Sequence, residues 1–141
     1  REHGFVTAPV QVLTRTLDDI LVEARIQRDI DFVSIDVEGH EHEVLQGFSL
    51  ERWRPTIMLV EDNLDFSNDN VYRYLKQFGY IRFKRTGVND WYAHRMNKQF
   101  VNSKTRLRMM RLMLKSKTKR NLRRVPLLAK LINLMRARGA R

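Results

Sequence analysis

The chain has no cysteine in its 141 residues, which excludes a disulfide framework, a thiolate metal site and a cysteine nucleophile, and suits a reducing compartment. No apolar run approaches the roughly 20 residues that a membrane span needs, and the start, Arg1-Glu2-His3-Gly4, lacks the apolar stretch of a signal peptide. A cytoplasmic location is therefore expected. Glycine is sparse: residues 4, 39, 47, 79, 87 and 139 contain no Gly-x-Gly pair, so the glycine-rich turn that lets a backbone approach a nucleotide cofactor is missing. Acid is missing altogether from Arg95 to Arg141, a stretch with 16 Lys+Arg, whereas Arg1 to His94 carries 11 Lys+Arg against 16 Asp+Glu. The formal charge of +11 is thus an acidic body near −5 joined to a basic tail of +16.

What is present reads as one α/β body over residues 10–94 and a basic helical tail over 95–141. Thr16 and Asp19 have the spacing of a capping box, and Leu17, Ile20, Leu21 and Ala24 form one face of a helix ending near Ile26. Phe32 to Val37 reads as a strand buried on both faces, because its apolar residues do not alternate cleanly. A short helix beginning near His40 carries Val44 and Leu45 and ends at Gly47. Pro55 opens a second apolar strand, Thr56 to Val60, which stops at Glu61-Asp62-Asn63. Val71, Tyr74, Leu75 and Phe78 repeat at helical spacing between a cap at Ser67 or Asn68 and a stop at Gly79. Tyr80 to Arg85 and Trp91 to His94 form a hairpin around Gly87. In the tail, Leu107, Met110, Met113 and Leu114 mark one basic amphipathic helix and Leu127, Leu128, Leu131, Ile132 and Met135 another, with 115–120 as a solvated linker.

Chemistry concentrates where the first strand ends. Asp36, Glu38, His40, Glu41 and His42 fall within seven positions, and strand and helix geometry lets Asp36, Glu38 and His40 converge while Glu41 and His42 lie further round the helix. Glu61, at the end of the next strand, approaches from the side. Neighbouring carboxylates raise one another's pKa and that of histidine, so a proton acceptor near neutral pH is available. The same oxygen and imidazole set has donors suited to Mg²⁺ or Mn²⁺, although no HExxH-like spacing supports a metal. The alternative is structural: Glu38 and Glu41 cap backbone N–H groups and both histidines are solvated.

Thr16-Leu17-Asp18-Asp19-Ile20-Leu21, Ile35-Asp36-Val37-Glu38-Gly39-His40-Glu41 with Val44-Leu45-Gln46-Gly47, Arg54-Pro55 and Val60-Glu61 resemble, in order and spacing, the C-terminal half of FkbM-type methyltransferases over about residues 10–94. The resemblance implies a Rossmann-like enzyme that uses S-adenosylmethionine to methylate a hydroxyl on a sugar, lipid-linked or other small-molecule acceptor. It implies that Asp36 lies beside the cofactor's methyl or the acceptor, with Glu38 and His40 around the acceptor and Glu61 at the pocket edge on the cofactor side. One departure is Ser34, where relatives often carry Lys. With no Gly-x-Gly turn and no initiating Met, the chain is expected to be a C-terminal fragment that binds the cofactor weakly or not at all alone. An exposed strand edge and poor solubility are expected with it.

The resemblance leaves the tail unexplained, and physics offers three readings: residues 104–136 lying on an anionic membrane, phosphate-backbone binding to nucleic acid with only Phe100 for stacking, or apolar stripes docked on the body. The rival to an enzyme is a non-catalytic binding module that uses this tail; a degenerate enzyme remnant is a third option.

Overall fold

The computed structural model describes residues 9–27 and 29–123, which form a mixed α/β fold around one four-stranded sheet. Thr16 caps helix α1 (Leu17–Glu23) as its spacing predicts: its hydroxyl accepts from the Asp19 amide at 3.1 Å and donates to the Asp19 carboxylate at 2.6 Å. The helix is shorter than expected, because Ala24 closes it and Arg25 turns to φ +53°. Leu17 and Leu21 pack on the core while Ile20 stays exposed.

Strand β1 (Phe32–Ile35) runs parallel to β2 (Ile57–Glu61), and the crossover between them contains the short helices α2 (Glu41–Gln46) and α3 (Leu50–Trp53). Helix α4 (Asn70–Gln77) leads into β3 (Tyr80–Thr86), which pairs with β4 (Asn89–His94) as the expected hairpin. The strand order is β1-β2-β4-β3, so the hairpin's second strand inserts antiparallel beside β2. A register shift between Arg82 and Lys84 marks a bulge in β3.

Side-chain alternation assigns the faces. Ile35, Met58, Val60 and Tyr92 meet Leu45, Phe48, Trp53 and Leu75 in the main core, at 4% exposure or less. Phe83 and Ala93 cover the other face together with Val101 and Phe100. The expectation of a first strand buried on both sides is corrected: β1 ends at Ile35, Phe32 and Ser34 are exposed, and among the described residues β1 pairs with β2 alone. Phe32, 48% exposed, meets that second face in a tilted contact with Trp91.

Helix α4 buries Leu75 fully and packs Val71, Tyr74 and Phe78 against the core, as their spacing predicts. Its N-cap is Asp69 rather than Ser67 or Asn68, although the Asn68 side chain still accepts from the Asn70 amide at 2.9 Å. Gly79 ends the segment at φ +82°, and an ideal Cβ there would lie 2.6 Å from Nε2 of His94. Gly79→Ala is accordingly expected to destabilise the fold by about 1–3 kcal/mol, combining left-handed strain with overpacking, measurable as a lowered denaturant midpoint at constant slope.

The tail expectation needs two corrections. Residues 115–120 are no solvated linker: helix α5 runs unbroken over Ser103–Arg123, and buried Ser116 donates to the Asp65 carboxylate at 2.8 Å, with Arg120 bonded to the Asp65 carbonyl. The docked face carries Met109, Met113 and Ser116, whereas Leu107, Met110 and Leu114 of the predicted stripe are exposed. Asp65 thus holds Ser116 and Arg120 toward the body at the far end of the helix. The second predicted stripe, 127–135, lies outside the described residues.

Candidate active site

The parallel register pairs Ile35 with Val60, so Asp36 and Glu61 leave the carboxyl ends of β1 and β2 as neighbours. Such a paired strand end is where an α/β sheet opens a crevice for ligands. The chain then turns sharply: Glu38 at φ +52° and Gly39 at φ +101° occupy left-handed backbone before His40 starts α2. Glu41 folds back under this turn, 8% exposed, and its Oε1 accepts from the Gly39 amide at 2.9 Å and the Val37 amide at 3.4 Å. Glu41 therefore plays the structural role of a backbone cap, which leaves Glu38 as the outward-facing acid of the turn.

Glu38 and Glu61 line a cavity of about 310 Å³, together with Asp62, Asn63, Asn68 and His42. Glu61 is half-buried, and its Oε2 is buried without a hydrogen-bond partner among the described residues. Partial desolvation raises its pKa above the ordinary carboxylate value, and the Asp36 charge adds to this, with the neighbouring Asn63 amide opposing it and smaller upward contributions from Glu38 and Glu41. Asp36 itself is exposed and His40 stands exposed at the head of α2 with no side-chain cap bond; neither is in the cavity wall. His42, expected in solvent, is half-buried and packs edge-on against Tyr74 at 5.5 Å between centroids.

Behind the acids lies a charged network that sequence reading missed. Arg82 and Tyr92 face each other across the hairpin and both line the cavity. The Arg82 Nε donates to the Tyr92 hydroxyl at 3.1 Å and lies 2.8 Å from Asp90 Oδ2, while its guanidinium stacks over Phe66, Tyr72 and Tyr92. Burial pushes the Tyr92 hydroxyl pKa up, so it stays neutral. Arg85 bonds both the carbonyl and the carboxylate of Asp62, and Asp62 in turn accepts from the Leu64 and Phe66 amides, which fixes the loop that walls the cavity. Asp62-Asn63, directly after a strand end, was the available signal for the loop. Arg82 carried none, since an arginine in an alternating strand reads as solvent-facing.

Chemically the site can accept a proton, hydrogen-bond a hydroxyl and attract a cation. Its carboxylates suit a cationic or hydroxyl-bearing ligand, and among the described residues no group of three His, Asp or Glu side chains is arranged to hold a metal ion. No helix among the described residues is long and apolar enough to cross a membrane.

No curated protein and no solved structure matches the chain. The family model of the methyltransferase FkbM domain matches residues 1–82, more than half of the sequence, including Glu38 and Glu61 of the acidic crevice. The chain belongs to the FkbM methyltransferase family.

Proposed function

We propose that this chain serves methyl transfer from S-adenosylmethionine to a hydroxyl oxygen on a sugar, lipid-linked or other small-molecule acceptor, on a Rossmann-like scaffold. The observation that carries the reading is the buried Oε2 of Glu61, without a hydrogen-bond partner among the described residues, beside Glu38 in the cavity at the strand ends. S-adenosylmethionine, when bound, supplies an electrophilic methyl group on a sulfonium sulfur. The residues here would do the rest: Glu38 would take the acceptor's hydroxyl proton as the oxygen displaces a neutral thioether from the methyl carbon, and Asp36 and Glu61 would present negative charge to the cationic sulfonium side. His40, at the mouth of the turn, passes the proton to water. The raised pKa of Glu61 marks a carboxylate whose charge is poorly compensated, and a cation bound beside it would offset that cost. Holding the nucleotide moiety is not assigned to any residue of this stretch.

The test is methyl transfer by the natural polypeptide against a panel of hydroxyl-bearing acceptors. Glu38→Gln and Asp36→Asn are each expected to lower turnover by about 100-fold or more while leaving the unfolding midpoint unchanged. Wild-type turnover in both variants would remove the acidic crevice from the mechanism.

A second reading, a binding module for anionic membrane or nucleic acid, is favoured by the outer face of α5. There Arg108, Arg111 and Lys115 are exposed beside Leu107 and Leu112.

A further inference from the structure

A larger cavity, of about 860 Å³, lies between α4, β3 and α5, within the size range of small-molecule sites, about 300–1,000 Å³. Its two kinds of wall differ sharply. Met109, Met110 and Met113 supply an apolar, adaptable side, while Lys76, Arg106 and Lys117 stand around it as cations. Arg82 joins the two sides: it is 5% exposed, lines this cavity as well as the acidic one, and its Nη1 has no hydrogen-bond partner among the described residues. A buried guanidinium N–H without an acceptor is costly, and an anionic oxygen is the group that best satisfies it. Asp69 is the one acid in the wall, and its own Oδ1 is likewise buried and partnerless among the described residues, so the lining is positive by a wide margin.

We propose that this cavity binds a single amphiphile from solution, with a phosphate or carboxylate head and an alkyl or prenyl chain, independently of methyl transfer. The methionines take the chain; Arg82, Arg106, Lys76 and Lys117 take the head. Neutral apolar ligands leave the Arg82 N–H unsatisfied and are disfavoured.

The experiment is calorimetric titration of the full chain with decyl phosphate below its micellar concentration, against decyltrimethylammonium, inorganic phosphate and phosphatidylglycerol vesicles. Decyl phosphate is expected to saturate at one equivalent, and the cation and free phosphate to bind at least about 10-fold more weakly, a difference of about 1.4 kcal/mol. Arg106→Glu with Lys117→Glu, both exposed positions, is expected to weaken decyl phosphate by about 10-fold or more, and Met113→Trp to do the same by filling the apolar side. Arg108→Glu with Arg111→Glu, on the outer face of α5, is expected to change it by less than about twofold. Equal losses in the two charge-reversed pairs, non-saturating heat, or binding to vesicles without binding to the monomeric probe would overturn the proposal in favour of a general anionic-surface contact.

Discussion

Asp90→Ala is expected to cost the fold about 3–5 kcal/mol, a large share of the roughly 5–15 kcal/mol that holds an ordinary domain together. Asp90 is fully buried and spends both oxygens on arginines, Oδ2 lying 2.8 Å from Arg82 Nε and Oδ1 3.0 Å from Arg85 Nη1. Removing it leaves the Arg82 charge in an aromatic cage with the Tyr92 hydroxyl as its one side-chain hydrogen-bond acceptor among the described residues. The loss belongs to the stranded charge rather than to the pair as such, so Arg82→Met with Asp90→Leu is expected to recover most of it; urea unfolding of the three chains measures both. The network also carries a pH signature. Desolvation pushes the Asp90 pKa up to about 6 against the pull of Arg82 and Arg85, whereas the unfolded value is 3.8. The folded state therefore binds the extra proton between those values, and the proton-linked part of Asp90's contribution is fully present below pH 3.8 and lost as pH rises through 6. Unfolding midpoints of wild type and Asp90→Asn should diverge in that window alone, with the wild type losing ground as pH rises.

Trp53→Ala is expected to be comparably severe, about 3–5 kcal/mol, for a different reason. Trp53 is 2% exposed among Leu45, Phe48 and Leu50, and its truncation opens a cavity at the centre of the main core. Its indole N–H also donates to Asp18 Oδ1 at 2.7 Å, and the same oxygen accepts from the Ser49 amide at 2.8 Å. Those two bonds fasten α1, which buries no residue of its own, onto the crossover between β1 and β2. Hydrogen exchange over residues 17–23 is expected to accelerate in Trp53→Ala and in Asp18→Ala alike, while the strands keep their protection relative to global unfolding. Trp53→Phe preserves most of the volume and gives up the N–H, so about 1–2 kcal/mol is expected.

Local rules carried the body of the fold. Thr16 with Asp19, the apolar repeat from Val71 to Phe78, Gly79 as a stop and Gly87 in a hairpin each report on neighbours within a few positions, and each appears where its spacing placed it. The acidic junction was legible only in part: Glu38, three residues past β1, and Glu61, the last residue of β2, line the cavity, whereas Asp36 and His40 of the same stretch do not. What was hidden depends on partners far apart in the chain. Ser116 finds Asp65 across 51 positions and thereby turns a charge-rich stretch into the middle of a docked helix, which repulsion among its lysines had argued against. Likewise the exposure of Phe32 and Ser34 follows from β1's place at the sheet edge, a matter of strand order that apolar content cannot reveal. Arg82 was unreadable because a buried cation is admitted by three aromatic rings and an aspartate from separate elements.

The left-handed backbone at position 38 sets two selective pressures against each other. Glycine would relax that residue by about 1–2 kcal/mol, since an L side chain there crowds the following carbonyl. A library sorted for heat resistance alone is thus drawn toward glycine at this codon, and every step in that direction deletes an acid from the mouth of the crevice.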